Sequence, residues 1–174
     1  MTSGIRRQKK RWAQPLRLYD KERIDEENVF MEKYGLKNKR EIWKMEFSIK
    51  KIRNQAKGLI TAKQEDQDAF IGRLAKKGLI KANAKIDDVL GMTKENFVER
   101  RLQTLVFRKG LSHTAKEARQ MIVHRKVMVG DRIINIPSYP VELTEEKMIK
   151  LVPSKPKAKK ESVMEEIKAE EVKK

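Results

Sequence analysis

Cysteine is absent from the 174 residues. That excludes disulfides, thiolate metal sites and a cysteine nucleophile. No apolar run approaches the roughly 18 residues that a membrane-spanning helix needs. Residues 1–18 contain no acid, and no apolar block follows their basic residues, so they do not read as a secretory leader. Also missing are a phosphate-cradling glycine loop, a nucleophile elbow, a metal triad and paired carboxylates in a pocket-like sequence. Asp87-Asp88 has no third carboxylate or histidine at ligand spacing, so it reads as a salt-bridging pair. His113 and His124, with no cysteine and no suitably spaced carboxylate, make a poor zinc site. They read as hydrogen-bonding residues, to backbone or to nucleic acid. No catalytic residue, metal or cofactor is expected, and the protein is expected to be soluble and intracellular.

What is abundant is positive charge. There are 42 Lys+Arg against 25 Asp+Glu, a net +17, with a pI near 10.0. Such an excess repels itself unless something anionic neutralises it, and nucleic acid is the first candidate, ahead of an anionic membrane surface. Only 39% of residues are hydrophobic and 39% are charged. A small core is expected, with segments that order only on a partner.

The expected organisation has five parts. Residues 1–18 form a basic extended arm (Arg6, Arg7, Lys9, Lys10, Arg11) suited to lying along phosphates, with Trp12 packing on the domain ahead of stacking on a base. Residues 19–98 form a helical body. Its first helix runs from an Asp20 cap to Tyr34, with Gly35 as a left-handed stop and Ile24, Val29 and Met31 as apolar contacts. A second helix starts at Asn38, which has capping-box spacing to Glu41, and ends near Lys57 with Gly58 as its stop. Its core stripe is Ile42, Met45, Ile49 and Ile52, and its basic sides include Lys50 and Arg53 as candidate phosphate contacts. A third helix spans Gln64 to Lys77, stopped by Gly78. Ile86 to Gly91 reads as one turn or a short loop.

Residues 99–140 read as a compact module of two helices and a β-hairpin. One helix, capped by Thr93, is expected to continue through to Lys109, with Gly110 as its stop. Val98, Leu102, Leu105 and Val106 form its core stripe, beside a basic stripe of Arg101, Thr104 and Arg108, with Arg100 near it. Thr114 and Glu117 form a capping box for the next helix, with Lys116, Arg119, Gln120 and His124 on its polar side. Val127 to Val129 and Ile133-Ile134 flank a Gly130-Asp131 turn. Between Arg100 and Arg132 the only acids are Glu117 and Asp131, both explained by local structure. The surface left over is basic. Arg101, Arg108, Arg119 and Arg125 read as the leading phosphate contacts, because a guanidinium offers a bidentate fork. Residues 141–152 read as a return segment to the body, with a short helix from Thr144. Residues 153–174 read as a flexible tail.

Arg101-Leu102-Gln103-Thr104-Leu105, followed by Arg108-Lys109-Gly110-Leu111, resembles the opening of the S-four-type RNA-binding domain. Ala118 to His124 and Asn135-Ile136-Pro137-Ser138-Tyr139 match its later motifs. Lys33 to Lys44 resembles one subgroup, the archaeal-type small-subunit ribosomal protein that names the domain. The resemblance covers roughly Arg17 to Val141. It implies an α+β fold, in which a mainly helical body carries the small RNA-binding module. It also implies a ribosomal-RNA-binding structural protein that nucleates assembly at an RNA junction and lies near the messenger entry path, where relatives contribute to decoding accuracy. The implied location is the cytoplasmic ribosome. The implied partners are small-subunit ribosomal RNA, neighbouring small-subunit proteins and messenger RNA at the entry path. Two departures stand out. Arg125 replaces the family's usual glycine, so it must accept a positive φ or the turn must be rebuilt. The usual Val-Asn-Gly turn is here Val129-Gly130-Asp131.

The expected RNA contacts are Arg100, Arg101, Arg108, Lys109, His113, Lys116, Arg119, Gln120, His124, Arg125, Lys126, Arg132, Ser138 and Tyr139, together with the arm residues and Lys50 and Arg53. The competing reading is an RNA-modifying or tRNA-related enzyme that borrows the same module, since fold and function travel independently. A DNA-binding regulator using Thr114 to His124 as a recognition helix is the third reading.

Overall fold

In the computed structural model, residues 11–81 and 83–153 are described. The expectations for Arg6, Arg7, Lys9, Lys10 and for the tail from residue 154 onward lie outside them. Arg11 to Asp20 forms no helix or strand. Trp12 packs as expected, its ring stacked on Trp43 with centroids 5.9 Å apart and the Arg40 guanidinium 4.9 Å from the Trp12 centroid.

The body is helical: α1 (Lys21–Tyr34), α2 (Lys39–Leu59), α3 (Gln64–Lys76), α4 (Ile86–Leu90) and α5 (Lys94–Glu99). Gly35, Gly78 and Gly110 all take positive φ at the helix ends where a left-handed stop was expected. Gly58 does not; α2 runs past it to Leu59. On α1 the buried apolar residues are Phe30 and Tyr34, while Val29 is exposed. Glu27 is only 3% exposed, although the neighbouring acids Glu22, Asp25 and Glu26 are all exposed. Its carboxylate accepts from Arg23 and from the Trp43 indole N–H at 3.0 Å, tying α1 to α2. Two clusters fill the body. Phe30, Tyr34, Leu36, Ile42, Met45 and Val98 form one, and the far end of α2 with α3 and α4 forms the other around Ala56, Phe70, Leu74 and Val89.

The module departs from expectation at its entry. Rather than one helix from Thr93 to Lys109 there are two, α5 and α6 (Leu102–Arg108), broken at Arg100-Arg101. The returning chain causes the break. Leu102 N–H donates to Tyr139 O, Gln103 N–H donates to Pro137 O, and Val141 N–H donates to Arg100 O. Arg101 is extended (φ −76, ψ 141) and bridges Pro140. These partners replace intrahelical ones for the Leu102 and Gln103 N–H groups and the Arg100 carbonyl. Apolar periodicity runs in phase on both sides of the break, which hides it from a sequence reading.

The module then continues through α7 (Ala115–Val123), β1 (Val127–Val129), β2 (Arg132–Ile133), α8 (Leu143–Glu146) and β3 (Ile149–Leu151). The hairpin forms as expected, with Gly130 at φ 60 in its turn. The segment read as a return to the body brings Leu143 beside Gly78, and it also adds β3 antiparallel to β1, pairing Val127 with Leu151 and Val129 with Ile149 in the order β2-β1-β3. Val141 and Ile149 are buried in the module core with Leu102, Val106, Ile122 and Val127.

Candidate nucleic-acid interface

Residue types decide which way each side chain of the module faces. Leu102, Leu105 and Val106 of α6 bury against Ala118 and Ile122 of α7 and against Val127 and Val129 of β1. Thr114 caps α7 as read, its hydroxyl accepting from Glu117 N–H at 3.1 Å. The reciprocal bond is shifted by one residue, with the Glu117 carboxylate accepting from His113 N–H at 2.7 Å. With that face inward, Lys116, Gln120 and His124 fall at steps of four along the outer face of α7, and all three are exposed.

That outer stripe runs directly into Arg125 and Lys126, both exposed. Arg125 occupies the left-handed region at φ 58 and is the one non-glycine residue with positive φ among those described. Its N–H donates to Ile122 O and the Lys126 N–H reaches back to Met121 O, closing the helix end as a glycine would. Arg132 lies exposed on β2. Lys116, Arg125, Lys126 and Arg132 form no ion pair with a described residue. Lys109 is exposed with its ammonium on Glu146 O, and His113 and Ser138 are exposed. Arg108 is half exposed and pairs with Glu99. Tyr139 is partly buried, and its hydroxyl donates to the Glu145 carboxylate at 3.0 Å. Burial and this hydrogen bond push its phenol above the ordinary 10.0.

Four expected contacts turn inward. The predicted stripe of Arg101, Thr104 and Arg108 does not form an outer face, because Arg101 and Thr104 are buried. Arg101 and Arg119 converge on one carboxylate, Glu41 of α2, at 2.5 and 2.8 Å. Burial alone pushes the Glu41 carboxyl up, but the hydrogen bonds and charges of Arg119 and Arg101 together outweigh it and hold the group below its ordinary 4.5. Arg100 pairs with Glu146 at 2.8 Å and donates to Val141 O. On the body, Lys50 is exposed, whereas Arg53 turns toward α4 and donates to Met92 O. Arg11 is exposed.

Sequence reasoning missed the joint between body and module. Gln103 is 1% exposed. Its amide nitrogen lies 3.1, 2.9 and 3.0 Å from Tyr34 O, Gly35 O and Ala115 O, and its amide oxygen accepts from Arg119 at 3.3 Å. Two amide hydrogens thus serve three carbonyls from both halves of the protein. Gly35 sits where a Cβ would lie 2.9 Å from Ala115 atoms, so glycine permits the helix end of the body to meet the start of α7. The available signal was a glutamine set among buried apolar neighbours. Glu41 was assigned a local capping role that it does not take, since the Asn38 side chain makes no cap bond.

Among the described residues, no group of three or more His, Asp or Glu could hold a metal, and no helix is long and apolar enough to cross a membrane. The S4 domain family matches residues 100–147, which extends past the expected module end and into the α8 segment. Three curated archaeal relatives carry the name small ribosomal subunit protein uS4. The protein from Methanococcus aeolicus is 47% identical over 158 residues, covering 88% of this chain and 89% of the relative. That from Nanoarchaeum equitans is 43% identical over 162 residues, 89% of each. That from Hyperthermus butylicus is 40% identical over 156 residues, 87% of this chain and 89% of the relative.

Proposed function

The chain belongs to the uS4 family of small ribosomal subunit proteins, and from that premise we propose a division of labour among its cations. The protein is a ribosomal component of the cytoplasm rather than an enzyme, and it binds small-subunit ribosomal RNA. The outward cations of α7 and the following turn and hairpin (Lys116, Arg125, Lys126 and Arg132, with Lys109, His113, Gln120 and His124 beside them) meet phosphates. One observation carries this reading: these cations are exposed and have no acid partner among the described residues. Arg108, half exposed, exchanges Glu99 for a phosphate with little loss, because exposed pairs contribute only about 0–1 kcal/mol. Ser138 and Arg11 are exposed and are further candidate phosphate contacts. Arg100, Arg101, Arg119, Arg53 and Tyr139 hold the protein in the shape that presents it.

The joint supports a finer role. A rigid connection between a body carrying Lys50 and a module carrying Arg125 fixes the angle between two cationic surfaces. Such a device suits gripping two RNA helices where they meet, and therefore nucleating assembly at a junction. Neighbouring small-subunit proteins and messenger RNA near the entry path complete the proposed surroundings, with decoding accuracy as the consequence.

The test is binding of the intact chain to a small-subunit RNA fragment over a range of salt. Replacing Lys116, Arg125, Lys126 and Arg132 together by alanine should flatten the plot of log K against log salt by about three units, at about 0.7–0.9 per lost phosphate contact. The melting temperature should hold, since none of the four side chains makes an ion pair with a described residue. An unchanged slope places the RNA elsewhere. Sedimentation of cell extract adds a second check, in which the wild-type chain should travel with the small subunit.

A further inference from the structure

We propose that the body carries a second RNA subsite of a different kind, a groove that takes one unpaired nucleotide. The groove encloses about 440 Å3 between α2 and the chain before α1, and is lined by Phe47, Lys50, Lys51, Asn54, Gln55 and Ala13. That volume is in the range of small-ligand clefts, roughly 300–1,000 Å3. Its α2 members fall at i, i+3, i+4, i+7 and i+8, so they share one helix face. This face is separate from the buried Ile42, Met45 and Ile49 stripe and from the module surface described above.

Its chemistry is that of a base and its phosphate. Phe47 is half-buried and supplies an aromatic floor. Asn54 and Gln55 are exposed and make no side-chain hydrogen bond with a described residue. Each amide offers both donors and an acceptor, matching a base edge, which also carries both. Lys50 and Lys51 are exposed and without an acid partner among the described residues, one on each side of the helix step between Phe47 and Asn54. No acid among the described residues lines the groove. Burial raises the carboxyl of Glu46, beside Phe47 in sequence, and the charges that act on it, Lys94, Glu27 and Arg23, belong to α1 and α5. The opposite wall is anchored. Ala13 follows Trp12, which is stacked on Trp43 one turn before Phe47 and sits beneath Arg40. Aromatic floor, free amides and paired ammonium groups are the elements by which proteins hold splayed-out bases of single-stranded RNA. A peptide partner would gain few apolar contacts from Phe47 and Ala13 alone.

This inference rests on the RNA-binding reading above, and the experiment separates the two. The intact chain is titrated with two RNA duplexes, identical except that one strand of the first carries an additional, unpaired 4-thiouridine, and is then photo-crosslinked. The wild-type chain should prefer the bulged RNA, and the crosslink should map to the peptide containing Phe47 to Gln55. Phe47→Leu should lose roughly five- to a hundred-fold in affinity for the bulged RNA only, the scale of one base–aromatic stack. Asn54→Ala with Gln55→Ala, both exposed and so without consequence for folding, should reduce the same preference. The alanine variant of the module should weaken both RNAs equally and leave the preference intact. Equal binding of both RNAs by wild type, with crosslinks confined to the module, overturns the subsite and spares the first reading. Binding of neither overturns both. Displacement of the bulged RNA by an equal concentration of a nucleoside monophosphate makes the groove a free-nucleotide site and overturns the RNA form.

Discussion

Replacing Glu41 by glutamine removes one charge and almost no volume from the joint between body and module. In the native chain that carboxylate faces two guanidinium groups, with Glu41 16%, Arg101 8% and Arg119 24% exposed at their side chains. Without it two like charges remain, one of them nearly sealed from water. Breaking a buried pair by removing one partner destabilises by about 3–5 kcal/mol. Two features reduce that here: glutamine still offers an amide oxygen, and Arg119 is exposed enough to turn toward solvent. The expected loss is about 2–3 kcal/mol. For a chain of this size, at about 2–4 °C per kcal/mol, the melting temperature should fall by about 5–10 °C at neutral pH. The effect also has a required pH dependence. The folded carboxyl lies below its ordinary 4.5, so its stabilisation is fully present above that value and is lost as pH falls through the folded pKa. The gap between wild type and Glu41→Gln should therefore close on acidification below about 4.5. In an Arg119→Ala background the same substitution should do less, because part of the interaction is already gone. Calorimetry across pH measures all three outcomes. A melting temperature within about 1 °C of wild type at neutral pH would refute the argument that this carboxylate holds the two halves together.

The other predictions concern backbone and polar contacts. Gly35→Ala combines a left-handed φ of 61 with a Cβ 2.9 Å from Ala115, and should destabilise by more than the about 1 kcal/mol of the backbone effect alone. Thermal melting checks it, with a change near zero counting against the close approach. Arg125→Gly relieves a side chain from φ 58 and should raise stability by about 0.5–1 kcal/mol while weakening RNA binding, so that melting and affinity move in opposite directions. Tyr139→Phe should remove the component of the ultraviolet tyrosinate titration that lies above 10.0. Because that phenol's folded pKa is raised, the stability its protonated form contributes is present below the unfolded value and lost as pH rises through the folded one.

Local signals account for much of what was legible. Left-handed stops at Gly35, Gly78 and Gly110, the Thr114 cap and the Gly130 turn all rest on interactions within a few residues, which a sequence displays directly. Arg125 is the clearest case. At the position after His124 the sequence left two outcomes, a rebuilt turn or a positive φ at Arg125, and the chain takes the second. Core stripes were equally visible, since Val98, Leu102, Leu105 and Val106 are all buried. Extrapolating from those stripes failed where a distant segment intervened. The helix break at Arg101 depends on carbonyls at Pro137 and Tyr139, and β3 depends on pairing with β1 across more than a turn of intervening chain.

The sequence alone determined the protein's sign of charge, its lack of metal-binding thiols, the order of its helices and its resemblance to an RNA-binding family. Tertiary structure decided which cations are free. Arg101, Arg119 and Arg125 are the same residue type in one short module, and nothing local separates them. Glu41 lies 60 residues from Arg101 and 78 from Arg119, yet it takes both, while Arg125 is left in solvent. An ion pair is set by distance in space and by burial, and neither can be read from spacing along the chain.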